Sequence, residues 1–327
     1  MGARVSLTEV EGVEILTLVD NVVDLLLESD EHVKRAPRIR DGKPTPPLLA
    51  EHGFSALVRV AKGGTVHTIL LDTGMGEATM LINADRLGVD LGEVEAVVIS
   101  HGHFDHINGL RAALGRLRAR IPIVIHPHAF VPRIMKLPDG TQVRMTPLDA
   151  AALERSGAEI IRRKEPSLLA DGTVLVTGQI PRVTDFEFGL PVQYAVVNGV
   201  EQHDPLTPDD QSIAIAVRGK GLVIVSGCAH AGIINSIRYV CELTGLQNVH
   251  AIVGGFHLAG PLYEGAIEPT VKAIEQIRPE LLLPTHCTGW KAIHTFARRL
   301  PESFVQNSVG TRLVLGSVPS AQRERSG

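Results

Sequence analysis

The sequence predicts a layered α/β protein, folded as one domain. Three observations carry that expectation. Short apolar runs alternate with amphipathic stretches of helical spacing. Each half of the chain opens on paired strands and then alternates strand with helix, the pattern of helices packed on a mixed sheet. No linker-like stretch divides the 327 residues.

The elements follow in order. Val13–Val19 reads as an opening strand that ends at Asp20-Asn21. Residues 29–53 mix charges with Pro37, Pro44, Pro46 and Pro47 and read as an insertion-like loop. Loops of that length are usually lids or irregular segments. Phe54–Val60 and Val66–Leu71 flank Gly63-Gly64 as a hairpin and lead to Asp72. Ala78–Leu87 has helical spacing and stops at Gly88. Ala96–Ser100 is a short apolar strand of the kind buried on both faces. A helix is expected over Asn108–Arg120, then a strand at Ile121–Ile125.

Residues 130–208 form a variable region, with strand candidates at Thr173–Thr177 and Val192–Val197. Beyond it, Ser212–Val217 and Leu222–Ser226 make a second hairpin. A helix from Ile233, a strand at Val249–Val253, a helix near Ile267–Ile277 and a strand at Leu281–Leu283 follow. The polar tail after Gly316 is expected to fray.

Composition narrows the function. A net charge of −4 offers no basic field for a phosphate backbone, so nucleic acid is not an expected partner. Three cysteines far apart in sequence suit a reducing compartment rather than a disulfide framework. The sequence has no apolar run of membrane-spanning length, about 18 residues, and its start lacks the layout of a signal peptide. The expected setting is the cytoplasm, and the expected partner is a small-molecule substrate. The oligomeric state is not encoded in any pattern seen here. Met1-Gly2-Ala3-Arg4-Val5-Ser6 fits a loose acylation pattern, set against the strand-like run that follows it.

The chemistry gathers in His101-Gly102-His103-Phe104-Asp105-His106. In extended backbone, residues two apart face the same way, so His101 and His103 can share one cation. If the chain then bends into a helix, Asp105 and His106 can face a second. Imidazole and carboxylate suit zinc, with iron or manganese as alternatives. Two such ions could clamp a substrate and a hydroxide between them. Three later histidines end strands: His230, His257 and His286.

With these residues the chain resembles the metallo-β-lactamase superfamily, whose hallmark is H-x-H-x-D-H after a buried strand. The resemblance implies a four-layer αββα sandwich. It makes Asp72 the upstream carboxylate that accepts a ligand histidine's other N–H and fixes its tautomer. It makes His286 the final ligand and places His230 where the remaining ligands fall. The segments Ser226-Gly-Cys-Ala-His230, Gly254-Gly-Phe-His257-Leu258 and Pro284-Thr-His286-Cys287 resemble one branch. That branch contains 7,8-dihydropterin-6-methyl-4-(β-D-ribofuranosyl)aminobenzene-5′-phosphate synthase.

One departure stands out. The usual Gly-His-Ser/Thr ligand motif and the bridging Gly-Asp are missing. His230 is the first candidate to replace them, Asp210 the second and Cys228 the third; a thiolate binds zinc well. Asp105 is the candidate both to hold metal and to accept the proton of an attacking water. His257 is the candidate to touch substrate or donate a proton. His52 is placed as a lid residue and Lys291 as an anion holder, whereas His126 and His128 read as structural. The expected activity is hydrolysis of a small phosphorylated or cyclic-ester metabolite by a metal-activated water. The alternatives are a synthase-like transferase and a metal-dependent binding or sensing protein.

Overall fold

Alternation along Gly12–Val19 sets the layering. Val13 and Ile15 point into one core, while Leu16 and Leu18 point into another. The same split recurs at Gly221–Ser226, where Val223 and Val225 join the first core and Leu222 and Ile224 join a third. Strands apolar on both faces must be covered on both faces, and two sheets stacked between helices satisfy that demand. A computed structural model describes residues 4–319 of the chain. The start of the acylation pattern and the tail from residue 320 lie outside the described residues.

The first sheet has eight strands, ordered Ala158–Arg162, Ile121–Ile125, Ala96–Val98, Thr65–Leu71, Ser55–Lys62, Gly12–Val19, Arg312–Gly316 and Val33–Lys34. The second has six, ordered Ser167–Leu169, Val174–Val176, Ser212–Val217, Gly221–Ser226, Val249–Gly255 and Leu281–Thr285. Valines and isoleucines from both sheets fill the core between them. Helix Thr79–Leu87 and the short helix Leu110–Leu114 cover the outer face of the first sheet. Helices Ile233–Thr244, Glu264–Ile277 and Trp290–Arg299 cover the second. The result is the αββα sandwich. No helix among the described residues is long and apolar enough to cross a membrane.

Three expectations change. Of the helix expected over 108–120 only Leu110–Leu114 is α-helical, and a separate single turn, Phe104–Ile107, precedes it. Between them Gly109 passes so close to the loop after Asp72 that a Cβ would sit 2.2 Å from the Thr73 carbonyl oxygen. The excursion at 29–53 is not irregular throughout: Val33–Lys34 pairs with Arg312–Leu313 at the sheet edge, and Ile39–Arg40 pairs with Lys43–Pro44. Within 130–208, Arg133–Lys136, Gln142–Met145, Gln193–Val197 and Val200–His203 form a four-stranded sheet of their own. Ala158–Arg162, from the same region, extends the first sheet in parallel with Ile121–Ile125.

Candidate metal centre

The chemistry sits where parallel strands end, as open α/β architectures favour. Thr65–Leu71 delivers Asp72, and Ala96–Val98 delivers Ser100 and the histidine motif. In the other sheet, Gly221–Ser226 delivers Cys228 and His230, Val249–Gly255 delivers His257, and Leu281–Thr285 delivers His286. Gln211 ties the two halves together beside the site: its N donates to Ser100 O at 3.0 Å and its Nε2 to Ile99 O at 2.8 Å.

His101, His103 and His230 form the first group. His101 Nε2 lies 2.9 Å from His103 Nδ1, and the ring centroid of His230 is 4.7 Å from both of theirs. Their outward nitrogens are held: His101 Nδ1 by Ser100 Oγ at 2.9 Å, His103 Nε2 by Gln193 Oε1 at 2.6 Å. Neither ring nitrogen of buried His230 has a hydrogen-bond partner. Leaving buried polar atoms unpaired costs about 1–3 kcal/mol each, and a cation at this point of convergence would relieve it. Burial, with the neighbouring histidines, holds His101 and His230 well below the usual imidazole range. Burial and then Arg133 bring His103 down to about 4. Neutral imidazole is the form that binds metal.

Asp105, His106, Cys228 and His286 form the second group, with ligand atoms all within 4.8 Å of one another. Asp105 Oδ2 is 3.7 Å from His106 Nε2 and 3.2 Å from His286 Nε2, and His106 Nε2 is 3.0 Å from Cys228 Sγ. Burial alone would lower His106 and raise Asp105. Instead Asp105 and Asp72 lift His106 to about 9, while His106, His286 and His103 hold the Asp105 carboxyl far below its usual range. The side chains by themselves thus make Asp105 and His106 an ion pair, in which a divalent cation would take the proton's place.

Cys228 belongs to both groups, because its sulfur also lies within 4.8 Å of the ligand atoms of His101 and His230. It therefore stands between the two groups. Burial, with Cys287 beside it, pushes the Cys228 thiol up, and a coordinated cation deprotonates such a thiol outright. Imidazoles, one carboxylate and a sulfur, converging from two sheets, are a donor set that fits divalent metal.

The surroundings aim these groups. His106 Nδ1 meets Asp72 Oδ2 at 2.7 Å, and the Asp72 carboxylate also accepts from Ser100 N at 2.7 Å and Ser100 Oγ at 2.6 Å. His286 is held from the N-terminal strand: its N donates to Asp20 Oδ1 at 2.9 Å, and its Nδ1 lies 3.2 Å from Asn21 Oδ1. Gly102 N donates to Asp209 Oδ2 at 2.8 Å, and Asp209 also pairs with buried Arg133. Asp72→Asn is expected to weaken zinc binding by about 10–100-fold, the usual cost of losing a partner that orients a ligand histidine. A competition titration with a chromogenic chelator reads that directly; unchanged affinity would mean Asp72 plays no part in aiming His106.

The remaining expected residues divide. His257 joins the site, its ring 4.2 Å from His230 and 4.8 Å from Tyr263, with Nδ1 unpartnered. His52 also reaches it, with Nε2 3.4 Å from Asp105 Oδ2. Lys291 does not line the cavity over the site; it pairs with Glu264 at 2.7 Å on the surface. His128 pairs with Asp204 at 3.0 Å, and His126 Nδ1 accepts from His128 N.

Asp210 falls outside both groups: Oδ2 accepts from Ala231 N at 2.9 Å, and Oδ1 is unpaired. Burial lifts its carboxyl from 3.8 to about 7. A raised folded-state pKa gives stability that is present below the unfolded value and lost as pH rises through about 7. In chelator-treated protein, Asp210→Asn should therefore melt increasingly above the native chain as pH rises from 5 to 8. A gap independent of pH would show that Asp210 does not titrate in this window.

No local pattern marks Gln193, Arg133, Tyr263, Cys287 or Asp209, and Asp20-Asn21 reads from sequence only as the end of the opening strand. Gln193 and Arg133 lie in the variable region, with no motif around them. Asp20 and Asn21 meet His286 across 265 or more residues, a pairing no local pattern reveals.

A sequence profile of the metallo-beta-lactamase superfamily matches residues 50–286. The 7,8-dihydropterin-6-methyl-4-(beta-D-ribofuranosyl)-aminobenzene-5'-phosphate synthase of Methanocaldococcus jannaschii is 30% identical over 274 residues, covering 81% of this chain and 90% of that protein. An uncharacterized protein of the same organism is 29% identical over 267 residues, covering 80% and 93%. Among solved structures, Tm1679, described as a metal-dependent hydrolase of the beta-lactamase superfamily, superposes with a TM-score of 0.70. It is 23% identical and covers 93% of this chain and 100% of its own. The hallmark motif, the sandwich and the matched profile agree: the chain belongs to the metallo-beta-lactamase superfamily.

Proposed function

We propose that the protein is a metal-dependent hydrolase of a small-molecule ester, phosphoester or lactone, acting as a single domain in the cytoplasm. The observation that carries this reading is the pair of ligand groups sharing Cys228 at a cavity of about 400 Å³, a size suited to small ligands. Two divalent ions held by these residues, zinc first and iron or manganese as alternatives, would supply a polarised substrate oxygen and a water acidic enough to attack at neutral pH.

The chain's own residues do the rest. His101, His103 and His230 would hold one ion, and Asp105, His106 and His286 the other, with Cys228 between. The Asp105 carboxylate, kept ionised by its histidine neighbours, is placed to accept a hydrogen bond from the attacking water at Oδ2, beside His52 Nε2. His257 lines the same cavity and is placed to hand a proton to the leaving group. Phe104 and Tyr263, also on the cavity wall, restrict access of bulk water.

The relative from M. jannaschii favours a second reading, because its name is that of a synthase. There the same groups would activate a phosphorylated substrate toward an aromatic partner. A binding or sensing protein is the third reading, and the crowding of unpaired ligand atoms counts against it. The test is turnover by zinc-loaded protein on a phosphomonoester, a phosphodiester, a lactone and a thioester, with a pterin-plus-arylamine condensation run alongside. Hydrolysis that a chelator abolishes and zinc restores is expected. Condensation without hydrolysis would transfer the assignment to the synthase, and ligand binding with no turnover would make it a sensor.

A further inference from the structure

The mouth of the metal centre is built almost wholly from apolar side chains. Met135, Leu137, Met145, Leu190, Val192 and Leu262 face the cavity that ends on Asp105, Cys228, His230 and His286. No lysine or arginine is among the described residues lining it.

The cations nearby are already engaged. Arg133 is buried against Asp209. Lys136 pairs with Glu201 at 2.7 Å and lies over the Tyr194 ring. Arg182 donates to the carbonyls of Glu187, Leu206, His230 and Ala231, and Lys291 pairs with Glu264.

The small four-stranded sheet produces this wall. In the hairpin Arg133–Lys136 with Gln142–Met145, Met135 and Met145 line the cavity. Lys136 and Arg144 instead meet Glu201 of Val200–His203, the strand at the far edge of this sheet. Methionine, with a flexible and polarisable thioether, adapts to varied apolar shapes. A substrate carrying a second phosphate or carboxylate away from the reacting bond would bury that charge with no partner, a heavy cost in an apolar slot.

We infer that the substrate presents one polar reacting group to the metal centre and an uncharged apolar body, alkyl or aryl, to this slot. A substrate whose non-reacting body carries charge or a run of hydroxyls is disfavoured. The inference deepens the hydrolase reading and rests on it for turnover, whereas the binding preference stands apart from catalysis.

Two arms separate the claims. In the first, zinc-loaded protein is given lactones and esters that differ only in alkyl length or in an added phenyl ring, beside sugar phosphates. Burying each further methylene should raise kcat/KM by about fourfold until the slot is full, and the alkyl and phenyl arms show which body fits better. In the second arm, calorimetry compares hexanoate, decanoate and 4-phenylbutyrate with glucose 6-phosphate, with no turnover needed.

Met135→Lys should flatten the chain-length dependence at unchanged zinc content. Leu262→Arg, at the exposed rim, serves the same purpose should Met135→Lys fail to fold. Tighter binding of glucose 6-phosphate than of decanoate, or a flat chain-length series, would overturn the inference. Absence of turnover together with preferential binding of the longer carboxylates would overturn the hydrolase reading and leave the slot standing.

Discussion

Replacing His103 by alanine is expected to abolish metal-dependent turnover, with a loss exceeding the roughly 10–100-fold caused by altering a partner that merely orients a ligand. His103 Nδ1 stands 2.9 Å from His101 Nε2, and its other nitrogen is fixed by Gln193 Oε1 at 2.6 Å. The ring is therefore aimed rather than free, and its pKa near 4 keeps it unprotonated throughout the neutral range. Alanine removes one of the three imidazoles of the first group, leaving His101 and His230. Zinc content by mass spectrometry should fall below that of the native protein, while circular dichroism should stay native-like. Turnover retained at the native rate in the variant would show that the measured activity does not belong to this metal centre.

Gly227→Ala is expected to disrupt the centre without touching a ligand. A Cβ at this position would lie 2.1 Å from Ser100 Oγ and 2.8 Å from Asp72 Oδ2. Both side chains are fully buried and hydrogen-bonded to each other, and between them they hold His101 and His106. Neither can retreat, so the loop carrying Cys228 and His230 must move away. Overpacking of this kind costs about 1–3 kcal/mol, and here the displacement falls on the ligand that links the two groups. The expected result is a lower melting temperature together with weakened zinc binding. A variant with native zinc affinity would show that the contact between the Gly227 loop and the Asp72–Ser100 pair does not set the ligand geometry.

Much of this site is written in short-range pattern. His101 to His106 can be read as ligands because six consecutive positions hold four metal-binding side chains after an apolar strand. His230, His257 and His286 are legible as strand-terminal histidines, and the hairpins at Ser55–Leu71 and Ser212–Ser226 follow from apolar runs around glycine turns. The variable region is illegible in sequence for a physical reason: its strands are short, half-exposed and dependent on one another. Val200–His203 is exposed along its length, so nothing in its own pattern distinguishes it from a loop.

The sequence alone therefore determined the layered class, the family and most of the candidate ligands, since alternating hydrophobicity and a compact motif of metal-binding side chains are local properties of a chain. The tertiary structure decided which candidate ligand joins the two groups. Cys228 and His230 are two residues apart, yet only the approach of one sheet's strand ends to the other's puts Cys228 within reach of both His101 and His106, and leaves Asp210 aside. The apolar mouth likewise exists only once a hairpin from residues 133–145 lies over strand ends separated from it by as many as 150 residues. Proximity across that span comes from sheet packing, and no spacing in the chain records it.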